Sequence, residues 1–327
     1  MMSDSKACLL GDIGGTHARF AWQDQPGGAL AHVATYLCTQ HDSLLAAMQH
    51  YLDEHQKPVP RRCAIGIANP ITGDDVRMTN HHWSFSISAI QRQLGLEQLA
   101  VINDFTALAL SLPALPTQDL RQVGGELEMP RAPKAVIGPG TGLGVSGLLP
   151  HGDQGWLPIN GEGGHATLAA TDDLQAAILA QMRRRFGHVS AERALSGPGL
   201  VNLYEAACAL AGQPARSLGP AEVIAGANSG ADHCCETALD LFCSFLGSVA
   251  GNLALTLGAH GGVYIGGGIA PRLTEHIRRS AFRKRFEDKG RFGDYLAKIP
   301  VFIIDAAISP AFVGAARALD MAHANTH

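Results

Sequence analysis

A glycine-rich turn placed directly after an apolar run occurs twice in this chain, and nothing else in the sequence limits the fold as strongly. Near the start, Cys8-Leu9-Leu10 runs into Gly11-Asp12-Ile13-Gly14-Gly15-Thr16 and resumes as His17-Ala18-Arg19-Phe20. Further on, Ala135-Val136-Ile137 runs into Gly138-Pro139-Gly140-Thr141-Gly142 and resumes as Leu143-Gly144-Val145. Each reads as strand, turn and returning strand. Glycine there permits positive φ and lets backbone N–H groups approach an anion closely. Two such hairpins, one in each half of the chain, predict a clamp that grips a polyphosphate from both sides. That points to phosphoryl-transfer chemistry.

The length of 327 residues suits two domains or two lobes around a cleft. A hydrophobic share of 46% with 17% charged residues is globular. A net charge of −4 offers no electrostatic footprint for nucleic acid or an anionic membrane. The densest basic run, Arg183-Arg184-Arg185, reads as a solvated helix face. The seven cysteines are irregularly spaced with no C-x-x-C, which fits reduced thiols in a cytoplasmic protein rather than a disulfide framework or zinc ribbon. Met1–Lys6 lacks the apolar core of a signal peptide. Residues 241–259 carry no charge and contain Gly247-x-x-x-Gly251, long enough for a membrane span. Ser244, Ser248, Asn252 and Thr256 interrupt it, so it reads as a buried helix near a ligand cleft.

Apolar spacing predicts helices over 42–56, with Asp42 or Ser43 as cap, over 86–94, and from Phe105 to Leu112. Strands are expected at 63–68 and 99–102, so the first part reads β-β-β-α-β-α, an α/β unit with a mixed sheet. Pro113 and Pro116 mark a boundary. The second part repeats the hairpin, then predicts helices at 172–186, 199–211, 220–228 and 232–258, strands at 263–265 and 301–304, and a last helix at 309–323.

Asp12 lies inside the first turn, where a buried carboxylate needs a cation or donors; Mg²⁺ or its water shell is the natural partner in a phosphate clamp. The bland alternative is an Asp bonded only to turn amides. Gly142-x-Gly144-x-x-Gly147 formally matches the dinucleotide fingerprint, with Glu162 twenty residues on. That motif must open a helix, whereas Val145–Pro150 continues as a strand, so an NAD site is rejected. No G-x-x-x-x-G-K-[ST] is present, which excludes a P-loop.

Asn103-Asp104 follows the 99–102 strand. A carboxylate there can serve as general base, or simply cap the following helix, and spacing alone favours the cap. Gly161-Glu162-Gly163-Gly164-His165 reads as a tight loop displaying an acid and an imidazole to a polyol, or pairing them with each other; its glycines argue against a metal-binding helix. Ser196 is a candidate cap, and Glu192 alone says little. Gly266-Gly267-Gly268 lets backbone approach an adenine, or merely turns a strand. His81-His82 lacks further ligands at zinc spacing.

Taken in order, several segments resemble bacterial glucokinases of the enterobacterial type, and the resemblance spans nearly the whole chain. They are Leu10–Arg19, Ala68–Gly73, Met78–Trp83, Ile102–Ala107, Gly140–Gly144, Gly161–His165, Glu192–Tyr204 and Gly266–Pro271. The resemblance implies a two-lobed actin-like (ribonuclease H-like) ATPase fold with duplicated β-β-β-α-β-α units and a central cleft. It implies a small domain of 1–113 plus 305–327 and a large one of 114–304. It implies ATP and Mg²⁺, glucose as acceptor and a homodimer, in a cytoplasmic protein for which the charge predicts no nucleic-acid or membrane partner.

Asp104 resembles the base acting on the sugar 6-hydroxyl. Asn103, Glu162, His165 and Glu192 resemble the holders of the other hydroxyls, and Asn69 lies in the segment flanking the sugar. Gly11, Asp12, Ile13, Gly14, Gly15 and Thr16 match the first phosphate motif, with Asp12 reaching the metal through water. Gly140, Thr141, Gly142 and Gly144 match the second, and Gly266, Gly267 and Gly268 the adenosine motif. His17 departs from the pattern, which has Asn, and is expected to pack. A kinase for another hexose and a non-catalytic sugar or nucleotide sensor are the rival readings.

Overall fold

The computed structural model describes residues 6–324 except 80, 128 and 154. The N-terminal segment read for a signal peptide lies almost wholly outside the described residues. The chain divides into two compact units, Met1–Leu115 with Ala306–His327, and Pro116–Asp305.

The first unit holds β1 (Cys8–Ile13), β2 (His17–Gln23), β3 (Leu30–Leu37), α1 (Leu44–Glu54), β4 (Arg62–Ile67), the short hairpin β5 (Asp75–Arg77) and β6 (Ser84–Ser86), α2 (Ile87–Leu94), β7 (Gln98–Asn103) and α3 (Asp104–Ser111). Ser43 caps α1 by accepting from Ala46 N. The sheet runs β3-β2-β1-β4-β7, antiparallel from β3 to β1 and parallel from β1 through β4 to β7. Alternation along β1 sends Leu9 and Ile13 to one core face, with Phe20, Tyr51, Ile65 and Trp83. Cys8 and Leu10 go to the other. Ile13, Ile67 and Asn103 end three parallel strands in register. The first glycine turn, Asn69 and Asp104 therefore leave the sheet at one edge, the carboxyl ends of its strands, where open α/β sheets bind ligands.

The second unit holds β8 (Leu120–Gln122), β9 (Lys134–Pro139), β10 (Leu143–His151), β11 (Gly155–Gly161), α4 (Asp173–Phe186), α5 (Gly197–Leu210), α6 (Pro220–Ser229), α7 (His233–Leu257), β12 (Val263–Ile265), α8 (Thr274–Arg279), α9 (Phe282–Glu287), α10 (Gly293–Lys298) and β13 (Val301–Ile304). Its sheet runs β11-β10-β9-β12-β13-β8. The chain then returns to the first unit as α11 (Ala311–Ala324), whose Phe312, Ala315 and Leu319 cover the Leu10 face. The three arginines of the basic run stand exposed in the last turn of α4.

Helix α7 is long and apolar enough to cross a bilayer by length and composition, yet 72% of that stretch is buried inside the protein. Its G-x-x-x-G receives α9: a methyl added at Gly247 or Gly251 would collide with the carbonyls of Phe282 and Phe286. The small residues serve helix packing within the unit.

The third strands β3 and β11 are counted in the β-β-β-α-β-α pattern but given no residue range by the sequence, and the β5–β6 hairpin, β8 and the helices α8 to α10 are not foreseen at all. Each of those helices has only six residues. A helix that short has little stability of its own, and packing holds it in place.

All seven cysteines are free and buried. Burial pushes the Cys8, Cys234 and Cys235 thiols up to about 11 and Cys243 to about 12. The thiolate is the reactive form. The native protein is therefore expected to resist iodoacetamide at pH 8, with rapid labelling only after denaturation. Mass spectrometry of both samples checks this; fast native labelling would contradict it.

Candidate active site

In the first unit, Gly14 N donates to His17 O at 2.9 Å and closes the first turn, while Thr16 O accepts from Cys38 N at 2.9 Å. His17 contributes this carbonyl, and its side chain is half-buried. Gly11 packs so closely that an added Cβ would lie 2.5 Å from Ile65 Cδ1. Ile13 is fully buried and belongs to the core. Asp12 faces Arg19 across the hairpin, and Arg19 Nη1 donates to Asp12 Oδ2 at 3.2 Å. The guanidinium offsets the cost of holding a carboxylate at 14% exposure. The sequence alone assigns Arg19 no role. Hairpin symmetry about residues 15 and 16 was the signal that pairs it with Asp12.

Asn103 caps α3: its Oδ1 accepts from Phe105 N at 2.9 Å and Thr106 N at 3.1 Å. This corrects the bland reading of Asp104 as the cap. Asp104 is the first helical residue, half-buried, with Oδ1 accepting from Phe105 N at 2.9 Å. A helix N-terminus stabilises a carboxylate there. The Asn69 amide is used internally: Oδ1 accepts from Thr79 N at 3.2 Å and Nδ2 donates to Pro70 O at 3.0 Å. Asn103 Nδ2 in turn donates to Asn69 O at 3.5 Å, so the two asparagines brace one edge.

In the second unit, β10 continues through Val145–Pro150 to His151, and no helix follows the second turn. The dinucleotide reading is thereby excluded by geometry. Gly140 N donates to Gly142 O and Gly197 N to Gly140 O, both at 2.8 Å. Thr141 is exposed at the tip, and Gly144 pairs with Gly138 across the hairpin. Leu143 N donates to Glu192 Oε2 at 2.9 Å, a link the sequence did not announce. Ser196 caps α5 by accepting from Gly199 N at 2.9 Å.

Glu162 and His165 border a 3₁₀ turn, not an α-helix. Gly164 there sits so tightly that a methyl would collide with the Leu143 carbonyl. The Glu162 and His165 side chains are both exposed, and among the described residues the two are joined by the backbone bond from His165 N to Glu162 O at 3.0 Å and by no side-chain hydrogen bond or ion pair. They are displayed, which removes the reading in which they only bind each other. Ala191 N donates to Ala166 O at 2.8 Å and ties this loop to the Glu192 segment. Gly266 N donates to Ile137 O at 2.8 Å. Gly267 has φ +80° and no room for a side chain against the Pro139 carbonyl. The second turn, the Glu162–His165 loop, Glu192 and the triple glycine thus form one cluster in this unit.

A crystal structure of glucokinase from an Antarctic psychrotroph matches with a TM-score of 0.86 at 36% identity, covering 96% of this chain and 98% of that one. A ROK family glucokinase from Streptomyces griseus, in complex with glucose and AMPPNP, shares the fold at a TM-score of 0.64 and 16% identity, over 95% of this chain and 98% of that one. The fold is that of sugar kinases of the actin-like ATPase class. The Glucokinase family model matches residues 9–322. The glucokinase of Aromatoleum aromaticum is 56% identical over 321 residues, 98% of this chain and 96% of its own length. The chain belongs to the glucokinase family, whose reaction is the phosphorylation of glucose.

Proposed function

We propose that this chain transfers the terminal phosphoryl group of ATP to the 6-hydroxyl of D-glucose, with Asp104 as general base. The observation that carries this is the division of labour at the start of α3: Asn103 supplies the cap, so Asp104 is not needed for it. The sugar oxygen attacks the γ-phosphorus, the bond to ADP breaks, and the hydroxyl proton passes to Asp104. Asn103, Glu162, His165 and Glu192 hold the other hydroxyls, and Asn69 steadies the adjoining loop. The turns Gly11–Thr16 and Gly140–Gly144 supply N–H groups to the phosphates, and Gly266–Gly268 lets backbone approach the adenine. Phosphoryl transfer rests on such positioning and charge neutralisation more than on covalent chemistry.

The donor set fits a phosphate-borne Mg²⁺. Among the described residues no group of three or more His, Cys, Asp or Glu side chains gathers to cage a metal. Mg²⁺ in kinases is typically held by one or two carboxylates, waters and substrate phosphates. Asp12 would hold it through water, and the ion would, when bound, neutralise phosphate charge.

We place the enzyme in the cytoplasm as a homodimer; light scattering checks the dimer. The decisive assay is ADP release from MgATP with glucose, with mannose, with an N-acetyl hexosamine and without sugar. The expected result is strong release with glucose and the highest kcat/KM for it. Higher kcat/KM for another hexose would reassign the substrate. No sugar-dependent release from folded protein would favour a sensor.

A further inference from the structure

Glu192 reaches the second glycine turn as well as the loop cluster around it. Its Oε2 accepts the Leu143 N–H at 2.9 Å, at the point where the turn re-enters β10. Gly142 leaves the space for this carboxylate, since a Cβ there would lie 2.5 Å from Oε2. The Glu192 backbone is tied down too. Its carbonyl accepts from Ser196 Oγ at 2.9 Å, and the same hydroxyl caps α5, whose Gly197 N–H holds Gly140 O at 2.8 Å. The turn is therefore braced at both ends by one short segment, residues 192–197. One brace passes through a titratable side chain and the other through backbone.

We propose that Glu192 is a positioning residue for the second phosphate turn, and that it couples sugar occupancy to nucleotide affinity. This rests on the reading above in which Glu192 binds a sugar hydroxyl and Gly140–Gly144 binds phosphate. With Oε2 on the Leu143 N–H, Oε1 is the atom that meets the sugar. A hydroxyl donating to Oε1 fixes the carboxylate plane and hence the turn, so that the anion-binding N–H groups are set before ATP arrives. Binding energy from the sugar then improves nucleotide binding, and the coupling is reciprocal.

Three variants separate the roles: Glu192→Ala, Glu192→Gln and Gly142→Ala. The measurements are the MgADP dissociation constant with and without glucose, and the glucose KM. Glu192→Ala removes the acceptor, and sugar-free MgADP affinity is expected to fall by roughly tenfold, the usual worth of a hydrogen bond to a charged group. Glu192→Gln keeps an oxygen for the Leu143 N–H. It is expected to recover most of the MgADP affinity while the glucose KM stays raised and the glucose-induced gain in MgADP affinity is lost. Gly142→Ala displaces the carboxylate without altering it, and the glucose KM is expected to rise although the substitution lies in the phosphate turn.

Unchanged sugar-free MgADP affinity in Glu192→Ala would overturn the positioning role, even with a raised glucose KM. An unchanged glucose KM in all three variants would overturn the coupling and the sugar-binding reading of Glu192, while leaving a loss of MgADP affinity to report the turn alone. Circular dichroism and Tm of each variant confirm that the comparison is between folded proteins.

Discussion

Asp104→Asn is expected to leave glucose affinity near that of the native enzyme and to lower turnover by about 10²–10⁴-fold, the range that a positioned general base contributes. Asparagine has nearly the same shape and cannot take the hydroxyl proton. In many helices such a change at the first residue would be confounded by loss of the cap. Here the cap is Asn103, whose Oδ1 holds both Phe105 N and Thr106 N, and it survives the substitution. What α3 loses is a carboxylate at its N-terminus, worth roughly 0.3–1 kcal/mol. Tm should therefore move little while kcat collapses. Glucose titration by calorimetry alongside glucose-dependent ADP release makes the comparison. Turnover within a few-fold of the native value would remove Asp104 from the role of base.

Gly314→Ala is expected to destabilise the first unit by roughly 3 kcal/mol, the upper part of the range for overpacking a core. In an exposed helix interior the same change stabilises by about 1 kcal/mol, because alanine is the better helix former, so the sign of the effect is diagnostic. At this position α11 lies on α3, and a methyl would run into the Ala107 carbonyl. Ala107 has no room to retreat: on its other side Gly66 of β4 is so close that a Cβ there would lie 3.1 Å from Ala107 Cβ. Relief therefore requires α3 to shift, and α3 begins at Asp104. Turnover should fall with stability, since displacements near 1 Å can cost a hundredfold in rate. Gly73→Ala is the control, because an added methyl there meets nothing within 4 Å. Denaturant unfolding of the two variants tests the contrast; equal stabilities would show that α11 and α3 do not pack as closely as described.

Much of the fold was legible because it follows from local rules. Apolar runs punctuated by glycine turns marked both hairpins, and the caps at Ser43 and Ser196 stand where their side chains reach the helix amides. The α8–α10 run is not legible in the sequence because its helices are six residues long, and packing against α7 and its neighbours defines them. Strand β11 is hard to read because its residues 155–161 mix glycine and proline with apolar residues and, among the described residues, pair with β10 alone.

The sequence by itself determined the α/β class, the glycine turns and the short list of polar residues, since glycine placement, apolar period and capping chemistry act over a few residues. Only the tertiary structure decided which of those residues meet. It put Arg19 on Asp12, gave the α3 cap to Asn103 rather than Asp104, and brought Glu192 onto Leu143, 49 positions away along the chain. Such pairings depend on strand register and on how closely glycine lets backbones approach. Both arise from packing between segments distant in sequence, which no local pattern encodes.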